Sequence, residues 1–340
     1  MSAKVPSKDI SVVIQGPLSS ALDGANATVQ SIRKFLPYAE IIVSTWEGED
    51  TSDLSSIDHL IVTKQPAPLV EPLGNVNNVA RQMVSTLTGI QRSTRPFVLK
   101  MRADHILLND NICIRPELTS KHETLAFLSR KIVVTSLFLR NHLKIPFLFH
   151  ISDLVQFGTK EDMASFWGGD LPDVASLLQG NRSTRVRVFG NFSGNTSFRE
   201  TPEQTLVRLW LAKEGMNISL SYPCDTSYEL FSLWEKVLVE NFQLLDYSSA
   251  GIVYPPRFLS AFLGPGTVLT AHEFQVMQRD PGSRRRYLKV LFSKYIKCWG
   301  MPRYWIATAN VILSGLTPAL AAKIRIWLRS KLGLTHPDRR

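Results

Sequence analysis

The fold is decided first by the run ISVVIQGP at residues 10–17. Four of its first five residues are Ile or Val, which favours a strand buried on both faces. The turn-forming triplet Gln15-Gly16-Pro17 follows at once and predicts that the strand ends there. Residues 25–36 then carry apolar side chains at helical spacing until Pro37 stops the pattern. The chain is therefore expected to open with a strand, a turn and a helix.

The same alternation of strand and helix continues through the first hundred residues. Strands are predicted by EIIVST at 40–45, HLIVT at 59–63 and FVLKMR at 97–102, and a helix is predicted over 76–91. This spacing predicts the α/β class, with a mostly parallel central sheet and helices on both faces. Because the carboxyl ends of parallel strands meet at one edge, we expect the ligand site in the loops along that edge.

The second half of the chain has a less regular pattern. Further strands are predicted at 125–129, 132–138 and 149–157. Further helices are predicted from Thr159, from Thr201 and over 228–241. Residues 168–200 are rich in Gly, Asn, Ser and Arg and predict a long loop, which is often functional in a compact domain.

Charge is distributed unevenly along the 340 residues. The net charge is +10, but residues 284–340 hold 13 of the 39 Lys and Arg residues and a single acid, Asp338. Residues 1–283 are near neutral, at −2. We therefore predict an α/β domain over 1–283 and a basic, amphipathic helical region over 284–340 that associates with a membrane.

The apolar residues of this basic region decide which anionic partner is expected. Trp, Leu and Ile recur at helical spacing among the basic residues, which is typical of a helix lying on an anionic membrane. The uncharged run 304–322 is interrupted by polar residues and a proline, so a helix–turn–helix on the bilayer is favoured over a spanning helix. The alternative is that these helices only pack on the main domain. No nucleic acid is expected as a partner, because no recognition motif is present.

The location of the protein is predicted from its first residues and its cysteines. The run MSAKVPSKD at 1–9 is polar, so we expect no cleaved signal peptide and a cytoplasmic protein, peripheral on the inner face of the cytoplasmic membrane. The three cysteines, Cys113, Cys224 and Cys298, lie far apart in sequence. This spacing predicts buried, reduced thiols rather than a zinc site or a disulfide framework.

Several enzyme classes lack their signature in this chain. No GxGxxG follows the first strand, and no GxxxxGK[ST], HExxH or GxSxG occurs. What remains is the end of the fourth strand, where Lys100, Arg102 and Asp104 alternate onto one face. Two cations and a carboxylate there suit a diphosphate and a Mg²⁺ or Mn²⁺ ion held by Asp104. The alternative is a cluster of salt bridges without a ligand.

Longer blocks of the sequence carry a resemblance to a known family. They are VVIQGPL (12–18), AEIIVSTWEGED (39–50), NVNNVARQMVSTLTGI (75–90), VLKMRADHIL (98–107), ISDLVQFGTKEDM (151–163) and TPEQ (201–204). Together and in this order, they resemble the WavE-type lipopolysaccharide-synthesis family over roughly residues 10–215. The basic C-terminal region lies outside this part.

The resemblance implies a GT-A-like glycosyltransferase. Such an enzyme moves a sugar from a nucleotide-diphosphate sugar to an acceptor, here a lipopolysaccharide or surface polysaccharide, as a lipid-linked glycan. The class usually carries a DxD metal motif after the fourth strand, where this chain reads Arg102-Ala103-Asp104. Asp104 takes the place of the second Asp, and Arg102 could itself help neutralise the diphosphate. The alternative function is a nucleotide-sugar-binding α/β protein without transfer activity.

The resemblance also implies donor-binding roles for residues of the first two loops and the second helix. The Gln15-Gly16 turn would pass close to the nucleotide, with Gly16 giving room for the backbone. Glu47 or Asp50 would bind the base or ribose. Asn78 and Arg81 would face the donor from the second helix, Arg81 reaching a phosphate, unless this helix face is only solvated.

The remaining implied roles concern the diphosphate and the acceptor. Lys100 or Arg102 would offset the charge of the diphosphate. Asp153 and Glu203 are the candidates for the base that deprotonates the acceptor hydroxyl in an inverting transfer. Either carboxylate could instead be structural, since Glu203 sits in the first turn of a predicted helix, where an acid is favoured.

Overall fold

The computed structural model describes residues 3–18, 24–71, 75–120, 124–178, 189–259, 265–317, 320, 323–324 and 327. The strands are β1 (Ile10–Gln15), β2 (Glu40–Trp46), β3 (His59–Thr63), β4 (Leu69–Val70), β5 (Val76–Asn77), β6 (Phe97–Arg102), β7 (Ile106–Leu107), β8 (Ile132–Thr135), β9 (Val155–Thr159), β10 (Phe242–Leu245) and β11 (Ile252–Val253). The helices are α1 (Ala25–Phe35), α2 (Val79–Arg92), α3 (Lys160–Trp167), α4 (Val174–Leu177), α5 (Pro202–Lys213), α6 (Tyr228–Asn241), α7 (Ala271–Gln278), α8 (Arg284–Tyr295) and α9 (Pro302–Leu316).

The centre of the fold is one large sheet. Within the described residues it has seven strands in the order β10-β8-β9-β6-β1-β2-β3. β1 is parallel to both of its neighbours, β2 and β6, and the pairs β2–β3 and β8–β10 are parallel as well. β9 runs antiparallel to β6 and β8. The predicted α/β class, with a mostly parallel central sheet and flanking helices, is confirmed.

The central strand β1 is buried along its whole length because helices cover both of its faces. Val13 packs in a cluster with Met83 of α2, whereas Val12 packs in a second cluster with Val29 of α1. A Cβ at Gly89 would lie 2.4 Å from Val13 Cγ1, so glycine lets α2 approach the sheet closely. A continuous apolar run is what a strand between two helical layers requires.

One predicted strand, at 125–129, is absent from the structure. Backbone N–H groups of this segment donate to side chains instead of to a strand of the central sheet. Asn241 Oδ1 accepts from the Phe127 N–H at 2.8 Å, and Asp162 Oδ1 accepts from the Ser129 N–H at 2.7 Å. Because side chains of α6 and α3 already satisfy these N–H groups, the groups gain nothing by pairing with a strand of the sheet.

Two other predicted strands are shorter than expected. The strand predicted over 132–138 ends at Thr135, and the one predicted over 149–157 begins at Val155. Phe138 and Phe149 adopt positive φ angles of 67° and 56°, which breaks the extended conformation between the two strands. The intervening segment therefore crosses the edge of the sheet as an irregular loop.

The second helix and the long loop also differ from the prediction in detail. The helix predicted over 76–91 is α2, Val79–Arg92, and the residues before it form the short strand β5. In the described parts of the loop predicted over 168–200 the only helix is α4, of four residues. Residues 179–188 of that loop lie outside the described residues.

The helices of the basic region are tied to the main body by side-chain hydrogen bonds and apolar packing. Arg286 of α8 donates to Glu235 Oε2 on α6 at 2.7 Å, and Lys294 Nζ donates to the Cys224 carbonyl at 2.6 Å. Cys298 and Tyr304 lie in a small apolar cluster with Phe147. α8 and α9 therefore pack on the main body through one side.

The sequence disfavours a spanning helix over 304–322, and the length of α9 bears on this. α9 has 15 residues, about 22 Å at 1.5 Å per residue, against about 30 Å of bilayer hydrocarbon. Among the described residues, no helix combines the length and the apolar character needed to cross a membrane. Residues 318–319 and 321–322 of the candidate span lie outside them.

The cysteines agree with the prediction. Cys113, Cys224 and Cys298 are buried and unbonded to one another. Burial raises the pKa of each thiol, so all three are protonated at neutral pH.

Candidate active site

Four segments meet at the carboxyl edge of the central sheet. β1 ends there at Gln15 and β6 ends there at Arg102, and these two residues are paired in register. β9 runs antiparallel to β6, so the residues just before it, including Asp153, lie at the same edge. The first turn of α5 brings Glu203 within electrostatic reach of Asp153. One edge thus gathers charged side chains from distant parts of the chain.

Asp104 is the centre of a charged cluster. Its carboxylate is fully buried, and Oδ1 accepts from Arg102 Nε at 3.1 Å and from His105 Nδ1 at 2.7 Å. Oδ2 accepts from Arg102 Nη2 at 3.2 Å and from Arg257 Nη2. Burial alone would raise the pKa of Asp104, but the His105 hydrogen bond and the Arg102 charge outweigh it and hold this pKa well below its usual range. Asp104 is therefore an anion shared between two guanidinium groups.

The donor set around Asp104 does not fit a divalent cation. Mg²⁺ and Mn²⁺ prefer several oxygen ligands, whereas both oxygens of Asp104 already accept hydrogen bonds, three of the four from arginine. In the described part of the chain, no three His, Cys, Asp or Glu side chains are grouped so as to hold a metal ion. The metal role of Asp104 stays a prediction, and its surroundings favour cationic side chains as its partners.

Lys100 is a fully buried cation beneath this cluster. Its Nζ donates to the backbone carbonyl of Asp153 and lies 4.9 Å from the centre of the Trp167 ring. Burial lowers the pKa of Lys100 to about 8, and the Asp153 charge opposes that shift. Lys100 is therefore charged at pH 7. Its side chain is buried, so the predicted role of Lys100 toward a diphosphate would be through its charge rather than by contact, and that role is untested.

The two carboxyl groups predicted as bases lie within electrostatic reach of each other. Burial raises the pKa of Asp153; the charge of Lys100 lowers it in part, and the charge of Glu203 raises it further. Burial also raises the pKa of Glu203, whose Oε2 lies 3.5 Å from His150 Nε2. The Glu203 side chain is 16% exposed, and Asp153 is 3% exposed. Glu203 is therefore the more accessible of two carboxylates whose raised pKa favours proton uptake.

The turn after β1 is open above Gly16. Gly16 has φ +105°, a conformation that favours glycine, and a Cβ added there would meet no atom within 4 Å. Thr45 Oγ1 donates to the Gly16 carbonyl at 3.0 Å, and the Gln15 side chain accepts from Ser85 Oγ at 2.9 Å. Hydrogen bonds from Thr45 and Ser85 thus hold the turn in place, and the space beside Gly16 is open. The approach of a nucleotide to this turn stays a prediction.

The two acids predicted to bind the base or ribose are exposed residues of the loop after β2. Asp50 Oδ1 accepts from the Ser52 N–H at 3.0 Å and from the Ser52 hydroxyl at 2.7 Å, and these bonds lower the pKa of Asp50. Glu47 donates its backbone N–H to the Thr63 carbonyl at 3.0 Å. These contacts shape the loop itself, and the predicted contact with a base or ribose is untested.

The two residues predicted on the second helix lie at its start. Asn78 is the N-cap of α2, and its carbonyl accepts from the Gln82 N–H at 3.1 Å. Arg81 Nε donates to the Pro66 carbonyl at 3.0 Å. Arg81 therefore ties the loop after β3 to α2, and its reach toward a phosphate is untested.

Sequence reasoning missed two arginines of this edge. Arg257 is 153 positions from Asp104 and lies in the run YPPRF at 254–258, which carries no recognisable motif. Arg140 is buried, donates to Thr267 Oγ1 at 2.7 Å and lowers the pKa of Glu203 by its charge. Only the long-range folding of the chain brings either arginine to the edge.

Two phenylalanines in strained backbone conformations flank the site. Positive φ at a bulky residue costs on the order of 1–3 kcal/mol and persists where the surroundings impose it. Phe138 lies 4.4 Å from the Arg140 guanidinium carbon and 5.1 Å from the Phe258 ring centre. Phe149 immediately precedes His150, the partner of Glu203. Strain of this kind clusters at functional sites, which agrees with the charged groups found here.

Two similar solved structures both come from Drosophila beta-1,4-galactosyltransferase 7. One is a mutant in complex with manganese, UDP-Gal and xylobiose; it is 11% identical, with 46% of this chain and 51% of that chain covered and a TM-score of 0.24. The other is the catalytic domain in complex with xylobiose, 12% identical, with 46% and 50% covered and a TM-score of 0.24. The likeness spans about half the length of those chains. At this TM-score it supports no conclusion about the fold or activity here.

A family model gives a more extensive match. No curated protein matches the chain. The family model described as WavE lipopolysaccharide synthesis matches residues 10–307, which takes in the whole central sheet, all of α8 and the start of α9. The match includes the blocks at roughly 10–215 that carry the resemblance in sequence, and it confirms that resemblance. The chain belongs to the WavE lipopolysaccharide synthesis family.

Proposed function

We propose that this protein is a GT-A-like glycosyltransferase of lipopolysaccharide or surface-polysaccharide assembly. It transfers a sugar from a nucleotide-diphosphate sugar to a lipid-linked glycan. The observation that carries the proposal is the composition of the sheet edge. Guanidinium groups suited to a diphosphate lie there beside the buried carboxyl group of Asp153 and the partly exposed one of Glu203, both with a raised pKa.

Glu203 is the group that takes the proton of the acceptor hydroxyl. It is exposed enough to meet a substrate, and burial raises its pKa toward the range in which a carboxylate accepts protons well. Asp153 is the more deeply buried of the two and lies next to Lys100, and the negative charge of Glu203 raises the pKa of Asp153 further. A base on the acceptor side supports a single displacement, in which the configuration at the sugar carbon inverts.

A lipid-linked acceptor requires the enzyme to work at a membrane, and α8 and α9 offer a face for it. This docking face combines exposed apolar side chains with exposed cations. They are Leu288, Phe292, Ile296, Trp299, Trp305, Ile306, Ile312 and Leu316, with Arg284, Arg285, Lys289 and Lys297. Large contiguous apolar patches on a protein surface mark interaction sites.

Because the docking face is positively charged, an anionic bilayer is the partner proposed for it. Each Lys or Arg near an anionic leaflet contributes on the order of 1 kcal/mol, so four cations give about 4 kcal/mol before any apolar burial. The opposite side of the same helices holds Val290, Lys294 and Tyr304, which are buried against the main body. The face is therefore fixed relative to the sheet, and peripheral attachment would present the site to a membrane-bound acceptor.

The function is tested by a transfer assay on the full-length protein. UDP-, GDP- and ADP-sugars are offered with rough lipopolysaccharide, and nucleoside diphosphate release and product mass are measured. We expect one donor to give transfer, and Glu203→Gln to lower kcat by about 10²- to 10⁴-fold with little change in KM for the donor. Glu161→Gln is the matched control, because Glu161 occupies the same first-turn position in α3 behind a threonine cap but is exposed.

The outcomes separate the candidate functions. Donor binding without transfer or hydrolysis would support the nucleotide-sugar-binding protein instead. Transfer with unchanged kcat in Glu203→Gln would remove Glu203 as the base and leave Asp153 as the candidate. No binding or turnover of any nucleotide sugar would contradict the proposed function.

A further inference from the structure

The charge around Asp104 has the opposite sign from that of a metal site. Two guanidinium groups, of Arg102 and Arg257, share one buried carboxylate, which leaves the group with an excess of one positive charge. Lys100 adds a further buried cation on the same strand. A site that binds a divalent cation instead collects anionic oxygens.

The two arginines are also placed to meet a ligand. The side chain of Arg102 is 20% exposed and that of Arg257 is 44% exposed, whereas Asp104 behind them is fully buried. Arg102 is paired in register with Gln15, next to the open turn at Gly16. Both guanidinium groups pack on the ring of Phe258, at 5.5 Å and 4.9 Å, which holds them side by side.

We propose that Arg102 and Arg257, held side by side by Asp104, bind the diphosphate of the donor, so that donor binding needs no divalent metal. The inference rests on the proposed function and assigns the part that a metal ion would play to the two guanidinium groups. Arginine is suited to it because its planar fork makes two parallel hydrogen bonds to phosphate oxygens. Asp104 is a positioning residue in this arrangement, because it contacts the arginines and lies behind them.

The same pair stabilises the leaving group during transfer. The bond between the sugar carbon and the diphosphate oxygen breaks, and its electron pair stays on the diphosphate. The acceptor oxygen forms the new bond to that carbon, and its proton goes to Glu203. Negative charge thus grows on the diphosphate, where Arg102 and Arg257 donate to it.

Nucleoside diphosphate binding tests the inference without relying on turnover. UDP, GDP and ADP are each titrated into the full-length protein by calorimetry, once in excess EDTA and once with excess Mn²⁺. We expect the diphosphate that binds to show the same Kd within about twofold in both buffers. Arg257→Gln should weaken it about tenfold to a hundredfold, the range for lost hydrogen bonds to a charged group. Arg257→Lys should recover only part of that affinity.

Controls separate this role from a structural one. Arg95→Gln is the matched control, because Arg95 is exposed just before the opposite end of the same strand, β6, and should bind as wild type. Asp104→Asn makes the site more positive but releases both arginines, so we expect weaker diphosphate binding despite the added charge. A merely structural carboxylate would lower the melting temperature and leave affinity unchanged.

Each result decides a separate point. Binding that requires Mn²⁺ overturns the inference and leaves the proposed function standing. Wild-type affinity in Arg257→Gln in EDTA also overturns it, and makes the Asp104 cluster a structural set of ion pairs. If no nucleoside diphosphate binds in either buffer, the nucleotide-sugar function itself fails.

Discussion

The ion pair between Arg286 and Glu235 offers a sharp test of how the basic region is joined to the rest of the protein. The Glu235 carboxylate is fully buried on α6, and Arg286 of α8 donates to it at 2.7 and 3.1 Å. The other contacts of Glu235 are His142 Nε2 at 2.9 Å and the Gly282 N–H at 2.7 Å. The prediction is that Arg286→Met destabilises the protein strongly while the neighbouring Arg285→Met does not.

The magnitude follows from the burial of the pair. Removing one partner of a buried ion pair costs about 3–5 kcal/mol, because the other charge is left without compensation. Glu235 keeps the contacts from His142 and Gly282, so we expect the lower end, about 3 kcal/mol, which is more than a hundredfold in the unfolding equilibrium. Arg285 is exposed, and its replacement should change stability by less than about 0.5 kcal/mol.

The dependence of stability on pH tests the same prediction independently. Burial alone raises the pKa of Glu235, but the His142 and Arg286 hydrogen bonds outweigh it, and the pKa lies below the ordinary 4.5. A lowered pKa stabilises the fold fully above pH 4.5, and this contribution is lost as pH falls through the lowered value. The difference between wild type and Arg286→Met should therefore shrink below pH 4.5.

Urea unfolding followed by tryptophan fluorescence at pH 7 and at pH 3.5 measures both effects. Equal stability losses in Arg285→Met and Arg286→Met, or a difference that does not change with pH, would refute the reasoning. If the prediction holds, a chain that ends at Gly282 lacks Arg286 and leaves Glu235 without this ion pair. Membrane attachment is therefore better tested by surface substitutions than by truncation.

Two further predictions concern the buried lysine and the docking face. Lys100 is charged in both the folded and the unfolded protein below pH 8 and neutral in both above pH 10.5, so the cost of burying its charge fades between these values. The stability of wild type relative to Lys100→Met, measured by urea unfolding, should therefore rise by about 3 kcal/mol over this window, and a flat difference would contradict a lowered pKa. Phe292→Ser with Ile296→Ser should reduce binding to phosphatidylglycerol vesicles in a flotation assay, whereas Leu118→Ser, also at an exposed apolar residue, should not. High salt should release part of the wild type, since it screens the basic residues, and undiminished binding of the double variant would rule out the docking face.

The local elements of the fold could be predicted from the sequence. Runs such as ISVVI and EIIVST are short, rich in β-branched residues and bounded by turn residues, and each becomes a strand of the central sheet. The predicted strand at 125–129 was wrong because propensity does not register a long-range partner. Asn241 bonds to that backbone from more than a hundred positions away.

The site was predictable only where its residues are close in sequence. Spacing predicts that Lys100, Arg102 and Asp104 share a face, because alternate residues of a strand do so, and Asp104 stays close to Arg102 although it lies in the turn after β6. Spacing does not show that Asp104 is held by arginine, because Arg257 comes from a segment without a motif. The sequence therefore suggested a metal ligand, whereas the structure surrounds the same carboxylate with cations.

By itself, the sequence determined the α/β class, the edge at which polar residues collect, and the concentration of charge in residues 284–340. These depend on periodicity and composition, which act over a few residues or over a whole segment. Only the tertiary structure decided that β9 runs antiparallel and so delivers Asp153 to that edge, that Arg257 joins Asp104, and that Arg286 pairs with the buried Glu235. Each of these depends on which distant segments pack together, and that choice is set by burial and charge compensation across the whole chain.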